Sequence, residues 1–260
     1  MTDLGKLKSI LGIQVEIKDK VVTVSQQGYV EQLLEKFNMV DSNPVSTPEV
    51  VGQVLKPNKL SPSELKTLNL PYREHVGSLQ YFLVTCTRPD IANAVHNLST
   101  YLSCFDESHW KQTKRVLRYL KGTKLLYLKI DCTDQVGAFQ VEAYCDADFA
   151  NSCEDRNPSA AFWSCSSAAV CLQDQGIKEL LCALRQPSAI AIAKNPGHHE
   201  RTKHISTKYH FVRDQVEKGR IQLCYCPTKL MIADILMKAI PREQFEILRS
   251  KMGLADGPTN

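Results

Sequence analysis

At 260 residues, 43% of them hydrophobic, the chain is long enough for one large or two ordinary domains with real cores. The formal net charge of +4 is mild but uneven, with 17 basic against 12 acidic residues in 1–130 and 15 against 16 in 131–260; this suits a polyanionic partner for the first half without demanding one. No run of about 18 apolar residues exists to span a membrane, the opening Met-Thr-Asp-Leu-Gly lacks a secretory leader, and ten cysteines without a Cys-x-x-Cys pair point to reduced thiols in the cytoplasm or nucleus.

In chain order, the β-branched runs 10–17 and 21–25 flank a polar Lys18-Asp19-Lys20 turn and predict a hairpin. Ser25 then opens a helix with Tyr29, Leu33, Leu34 and Phe37 on one face. Residues 41–71 carry Pro44, Pro48, Pro57, Pro62 and Pro71 and predict an extended connection. Helices are predicted over 72–85, 89–103 (Pro89 suits a first turn) and 106–121. Strands follow at 125–130 and 139–145, then a helical piece at 168–181 and helices at about 188–194, 203–218, 229–239 and 241–252. The best boundary lies near 131–138, and no internal repeat or low-complexity tract appears.

Three groups of residues carry possible chemistry. Val141-Glu142-Ala143-Tyr144-Cys145-Asp146 reads as a partly buried strand ending in a carboxylate, as metal-dependent phosphodiester chemistry requires; Asp148 follows it. The same acids equally suit an ordinary strand end. From His109 to Lys129 the chain carries Lys111, Lys114, Arg115, Arg118, Lys121, Lys124 and Lys129 with no acid. On a helix, Trp110, Val116, Leu117 and Leu120 face the core, and Lys111, Lys114, Arg118 and Lys121 form an outer stripe. Such a stripe grips nucleic-acid phosphates or is simply a solvated face. His198, His199, His204, Cys224 and Cys226 fit no standard zinc spacing and read as core or surface residues; Cys224 and Cys226 alternate along a strand, with both thiols on one face.

The order of short motifs resembles the Pol polyprotein of copia-type long-terminal-repeat retrotransposons. Matching stretches are Asp3-Leu4-Gly5-Lys6-Leu7 with Leu11-Gly12-Ile13, Tyr72-Arg73 with Val76-Gly77-Ser78-Leu79, and Thr87-Arg88-Pro89-Asp90-Ile91-Ala92. Next comes Lys114-Arg115-Val116-Leu117-Arg118-Tyr119-Leu120-Lys121-Gly122-Thr123. Downstream are Asp146-Ala147-Asp148, Asp155-Arg156, Ser188-Ala189-Ile190, Arg201-Thr202-Lys203-His204-Ile205, Tyr209-His210-Phe211 and Ala233-Asp234-Ile235-Leu236. The resemblance implies an α/β (α+β) chain. Residues 1–130 resemble the end of a reverse-transcriptase palm plus the helical thumb or connection region. Residues 138–260 resemble an RNase H-like mixed sheet with flanking helices, shortened internally between about 160 and 185. The polymerase Asp pair lies upstream in the family, so this chain alone is expected not to polymerise DNA.

Of the four acids that hold two metals in RNase H-type enzymes, the resemblance maps the first onto Asp146 and the last onto Asp234. The second has no counterpart, and Arg185 stands where the third belongs. Two carboxylates suffice for one hydrated Mg²⁺ (or Mn²⁺) but not for two close cations, and Arg185 adds charge of the wrong sign. The missing segment is expected to remove a central strand pairing and expose an edge. The expectation is therefore a shortened, degenerate Pol fragment that no longer cleaves RNA in RNA–DNA hybrids. It would retain low-specificity binding to such hybrids or other nucleic acid through Lys111, Lys114, Arg115, Arg118 and Lys121. The alternatives are a surviving RNase H-type nuclease with Glu179 or Asp174 as substitute ligand, and a protein-interaction module or pseudogene product without catalysis.

Overall fold

Asp19 and Lys20 adopt positive φ values of 48° and 65°, the left-handed pair that a two-residue hairpin turn requires. They join β2 (Ile13–Lys18) to β3 (Val21–Ser25) in antiparallel register, with Lys18 opposite Val21 and Gln14 opposite Ser25. A second left-handed pair, Leu11 at 50° and Gly12 at 75°, folds the short β1 (Ser9–Ile10) back on β2. The predicted hairpin is present, with one added strand outside it. The structure, a computed structural model, describes residues 7–58, 64, 67–85, 87–131, 141–145, 180–184, 190 and 214–257. Its architecture is mixed α and β, and the chain divides into two compact units, Met1–Asp134 with Ile235–Asn260, and Gln135–Asp234.

In the first unit β4 (Leu126–Asp131) pairs with β3, and β8 (Leu254–Asp256) pairs with β4, giving a five-stranded antiparallel sheet in the order β1-β2-β3-β4-β8. Residues 235–257, which the resemblance placed in the second domain, are thus built into the first unit. Gly253 makes that return possible. Its φ is 88°, its carbonyl accepts the Lys129 N–H at 2.8 Å, and a Cβ there would stand 3.0 Å from the Lys129 carbonyl oxygen.

The helices of this unit are α1 (Gln27–Lys36), α2 (Tyr72–Val84), α3 (Ala92–Ser99), α4 (Glu107–Gly122) and α6 (Arg242–Lys251). Between 84 and 92 the predicted single helix begins instead as a 3₁₀ turn, Pro89–Ile91, before α3 continues. The apolar residues spaced along each helix meet in one core: Val30, Leu33 and Leu34 of α1, Tyr72, Val76 and Leu79 of α2, Val95 and Leu98 of α3, Val116, Leu117 and Leu120 of α4, Phe245 and Leu248 of α6. Tyr72 stacks on Phe105 at 4.5 Å and donates to the Leu98 carbonyl at 2.7 Å.

Within that core the Thr87-Arg88-Pro89-Asp90 stretch closes round an ion pair. Arg88 Nε and Nη2 donate to the two Asp90 carboxylate oxygens at 2.9 and 2.8 Å, and further donors reach the Thr123 carbonyl and hydroxyl at 3.1 and 2.8 Å. Tyr119 donates to Asp90 from the other side, and Arg249 Nη1 to the Tyr119 hydroxyl at 3.3 Å. Burial opposes the charge on both partners, yet Arg88 holds the Asp90 carboxyl below its usual range, and Asp90 raises the already high pKa of Arg88. Nearly every lone pair and N–H of the pair is engaged, which is the condition under which a buried ion pair is tolerated.

In the second unit, β5 (Val141–Cys145), β6 (Leu180–Leu184) and β7 (Ile221–Tyr225) form a parallel sheet in the order β5-β6-β7. Two expectations change here. The helical piece predicted over 168–181 gives way at its described end to strand β6, because Leu-Leu-Cys-Ala-Leu is a short, continuous apolar run of the kind a central parallel strand carries. β6 is hydrogen-bonded on both sides, and β5 and β7 are the outer strands of this sheet among the described residues. The helix predicted at 229–239 is broken too. A 3₁₀ turn, Thr228–Leu230, is followed by Met231 in extended geometry (φ −72°, ψ 98°) and then by the four-residue α5 (Asp234–Met237), which lets Met231 and Ala233 bury beside Cys226.

Candidate nucleic-acid interface

Helix α4 is anchored at its start by a reciprocal cap. Asp106 accepts from the Ser108 and His109 N–H groups at 2.8 and 3.3 Å, while its own N–H donates to His109 Nδ1 at 3.1 Å. These hydrogen bonds outweigh partial burial and hold the Asp106 carboxyl down at about 2. The buried face, with Gln112, Val116, Leu117, Tyr119 and Leu120, fixes the rotation of the helix. The candidate cations are thereby turned away from the core.

Their surroundings divide them. Lys111 is exposed and lies 3.4 Å from Glu107, one turn back. Lys114 stands 5.6 Å over the Trp110 ring. The other three meet the proline-rich segment predicted as an extended connection, which runs across this face as a strap. Lys121 Nζ donates to the Ser42 carbonyl at 2.6 Å, Arg118 Nε to the Asn43 carbonyl at 2.6 Å, and Arg115 Nη2 to the Thr47 hydroxyl at 3.0 Å. Gln112 adds a bond to the Pro48 carbonyl at 2.9 Å, and Glu49 accepts from Asn93 and Asn97 of α3 at 2.6 and 3.0 Å. Burial raises the Glu49 carboxyl, against the pull of those two amides.

The partners of Arg115, Arg118 and Lys121 are neutral. No carboxylate among the described residues pairs with Lys114, Arg115, Arg118 or Lys121, so the face keeps its positive charge while its side chains are ordered. Arg115 is the most constrained: its Nε is buried without a hydrogen-bond partner, and burial together with Arg118 lowers its pKa. The outer stripe expected from the sequence is therefore half covered, Lys111 and Lys114 projecting and Arg118 and Lys121 serving also as pins for the strap.

Sequence spacing along one helix did not reveal a second set of cations. Arg242 and Arg249 of α6 line an open groove of about 590 Å³ together with Arg115 and the strap at 44–46. The only signal for them was their place in the helix predicted at 241–252, each about one turn from its apolar Phe245.

Of the two acids expected to hold a metal, Asp234 is among the described residues and Asp146 is not. Asp146 lies outside the described residues, as do Asp148, Glu179, Asp174, Arg185, His198, His199 and His204. Asp234 begins α5 and is 1% exposed. No cluster of three or more His, Cys, Asp or Glu side chains suited to a metal occurs among the described residues. Cys224 and Cys226 both pack against the small Met231–Ala233 core, as their alternation along the strand predicted. No helix among the described residues is long and apolar enough to cross a membrane.

No protein-family model matches the chain, and no solved structure does. Curated proteins do. The chain is 32% identical over 297 aligned positions to the retrovirus-related Pol polyprotein from transposon TNT 1-94 of Nicotiana tabacum, covering 98% of this chain and 22% of that protein. It is 32% identical over 98% of its length to the corresponding polyprotein from transposon RE1 of Arabidopsis thaliana, covering 20% of it. An uncharacterized mitochondrial protein of Arabidopsis thaliana, AtMg00810, is 36% identical over 62% of this chain and 64% of its own length. The chain thus spans about a fifth of the Pol polyproteins it matches. An alignment of 297 positions against 260 residues also means that the relative carries residues in this stretch with no counterpart here.

Proposed function

The chain belongs to the family of copia-type retrotransposon Pol polyproteins, and from that premise we infer that it is a reverse-transcriptase/RNase H fragment reduced to binding nucleic acid. In this reading residues 1–130 descend from the end of the polymerase palm with its thumb or connection, and 138–260 from an RNase H-like domain. The ancestral work was RNA-directed DNA synthesis and metal-dependent cleavage of RNA in hybrids, with Asp146 and Asp234 as Mg²⁺ or Mn²⁺ ligands. What remains is low-specificity binding to an RNA–DNA hybrid or other polyanion in the cytoplasm or nucleus.

The observation that carries this reading is the outer face of α4, where Lys114, Arg115, Arg118 and Lys121 are ordered by neutral partners and pair with no carboxylate among the described residues. Cations held in this way cost little further ordering when phosphates arrive, and each phosphate neutralised adds about 0.7–0.9 to the salt slope of binding. The deciding experiment is titration of labelled RNA–DNA hybrid across a salt series, with cleavage followed in Mg²⁺ and Mn²⁺. Binding with a steep negative salt slope and intact hybrid are expected. Folded protein that leaves the hybrid unbound rejects the reading. Cleavage that Asp146→Asn abolishes replaces it with a surviving nuclease.

A further inference from the structure

The groove beside α4 has an asymmetric charge count. Arg115, Arg242 and Arg249 supply three guanidinium groups, and Glu246 and Asp256 supply two carboxylates. Their sum is a single positive charge. Arg242 Nε is already turned onto Glu246 at 2.8 Å, and Arg249 spends one donor on the Tyr119 hydroxyl at 3.3 Å. Arg115 reaches the strap through Nη2 and leaves its buried Nε–H with no acceptor among the described residues. A buried donor of this kind is rare in a folded protein and marks a place where an acceptor belongs.

We propose that the groove seats one phosphodiester group of a nucleic-acid strand, with Arg115 and Arg249 as its donors and Arg242 at its rim. This rests on the nucleic-acid reading above and extends it from a helix face to a site built by two helices far apart in sequence. A phosphodiester offers two planar-accessible oxygens to the guanidinium forks and carries one negative charge, which matches the groove. A dianionic phosphate overfills that balance and meets Glu246 and Asp256. The groove is open and not enclosed, so the strand passes through it with both ends free. At about 590 Å³ it holds a nucleotide or two. Arg115 stands next to Lys114 and one turn beyond Lys111, so a strand leaving the groove runs directly on to the projecting cations of α4. The strap supplies the groove wall at 44–46 and holds Arg115 through Thr47.

The test uses the full chain and a labelled RNA–DNA hybrid, with affinity measured from 50 to 200 mM salt. Arg115→Gln and Arg249→Gln are each expected to weaken binding several-fold and to lower the salt slope by about 0.7–0.9. Asp256→Asn is expected to do the opposite, tightening binding with an unchanged melting temperature, because it removes a repelling charge from an exposed strand end. Arg242 is two-thirds exposed, so Arg242→Gln carries the test if Arg249→Gln fails to fold. Inorganic phosphate is expected to compete no better than chloride at matched ionic strength. Phosphate that competes specifically overturns the phosphodiester assignment. Groove variants that bind like the parent, while Lys111→Ala with Lys114→Ala weakens binding, overturn the site and leave the nucleic-acid reading intact. A folded parent chain that binds no hybrid overturns both.

Discussion

The two sides of α4 use charge in opposite ways. On the inner side Tyr119 donates into the Arg88–Asp90 pair, whose side chains are 4% and 0% exposed and whose donors and acceptors are almost all engaged within the fold. On the outer side Arg115, Arg118 and Lys121 are ordered by a hydroxyl and two carbonyls, and no carboxylate among the described residues pairs with them. Within one helix, then, closure of the charge balance marks what is structural, and its incompleteness marks what is left for a ligand. Both stretches, 87–92 and 114–123, belong to the motifs that carry the family resemblance, so motif membership alone does not separate the two uses.

The strongest way to break this contrast is to open the inner pair. Asp90→Ala strands the Arg88 guanidinium in the core, and removal of one partner of a buried pair costs about 3–5 kcal/mol. Urea unfolding should therefore show a large drop in midpoint with little change in slope. Arg88→Met combined with Asp90→Leu removes both charges and should unfold at higher urea than Asp90→Ala alone. Equal or lower stability of the double variant would mean that the hydrogen bonds to Thr123 and Tyr119, and not the balance of charge, hold this region together.

How far the sequence foretold these sites follows from the range of the forces involved. The hairpin, α1, α2 and the rotation of α4 are local: a polar two-residue turn and apolar residues at helical spacing are enough to call them, and Lys111 and Lys114 project as the stripe predicted. The strap was legible as extended chain from its prolines, but not its destination, because the Gln112, Arg115, Arg118 and Lys121 bonds that seat it join residues more than sixty positions apart. For the same reason Arg242 and Arg249 could not be assigned to a shared groove with Arg115. The helical piece predicted over 168–181 overlaps strand β6 at Leu180 and Leu181 because a short apolar run carries no periodicity that tells a buried strand from a helix. The return of α6 and β8 to the first sheet turns on Gly253, whose left-handed geometry leaves no mark in a hydrophobic pattern.

A third arrangement of buried charge sharpens the contrast. His75 is fully buried between Phe37 and Trp110, and neither ring nitrogen has a hydrogen-bond partner among the described residues. Burial pushes its pKa down to about 4, so it is neutral in the fold. Because the folded value lies below the ordinary 6.5, the unfolded chain binds the extra proton first. Stability is complete above pH 6.5 and is lost as pH falls from there towards 4, by roughly 2 kcal/mol at pH 5. His75→Phe should remove that component. Glu49 works in the other direction, since its raised carboxyl takes up a proton in the fold and gains stability as pH falls. It is common to both proteins, so the difference between their urea midpoints at pH 5 and pH 7 isolates His75. A parent and variant with parallel pH profiles would show that the ring finds an acceptor on protonation.

The smallest effect on stability is expected where the largest specific effect on binding is sought. Lys111 and Glu107 are 69% and 73% exposed at 3.4 Å, and exposed helix pairs of this kind contribute about 0.3–0.5 kcal/mol. Lys111→Ala should leave the melting temperature almost unchanged. If the strand path runs from the groove along α4, the same substitution lowers the salt slope of hybrid binding by one contact, about 0.7–0.9. Glu107→Ala makes the converse change: it frees Lys111 and removes a nearby negative charge, so it should tighten binding at low salt and lose that advantage as salt screens the face. Asp90 and Glu107 are both acids beside a cation of the same chain, and the inner one is expected to govern folding with no direct part in binding, the outer one the reverse. If Lys111→Ala and Glu107→Ala shift binding in the same direction, the outer charges act through helix stability, and the distinction between the two faces of α4 fails.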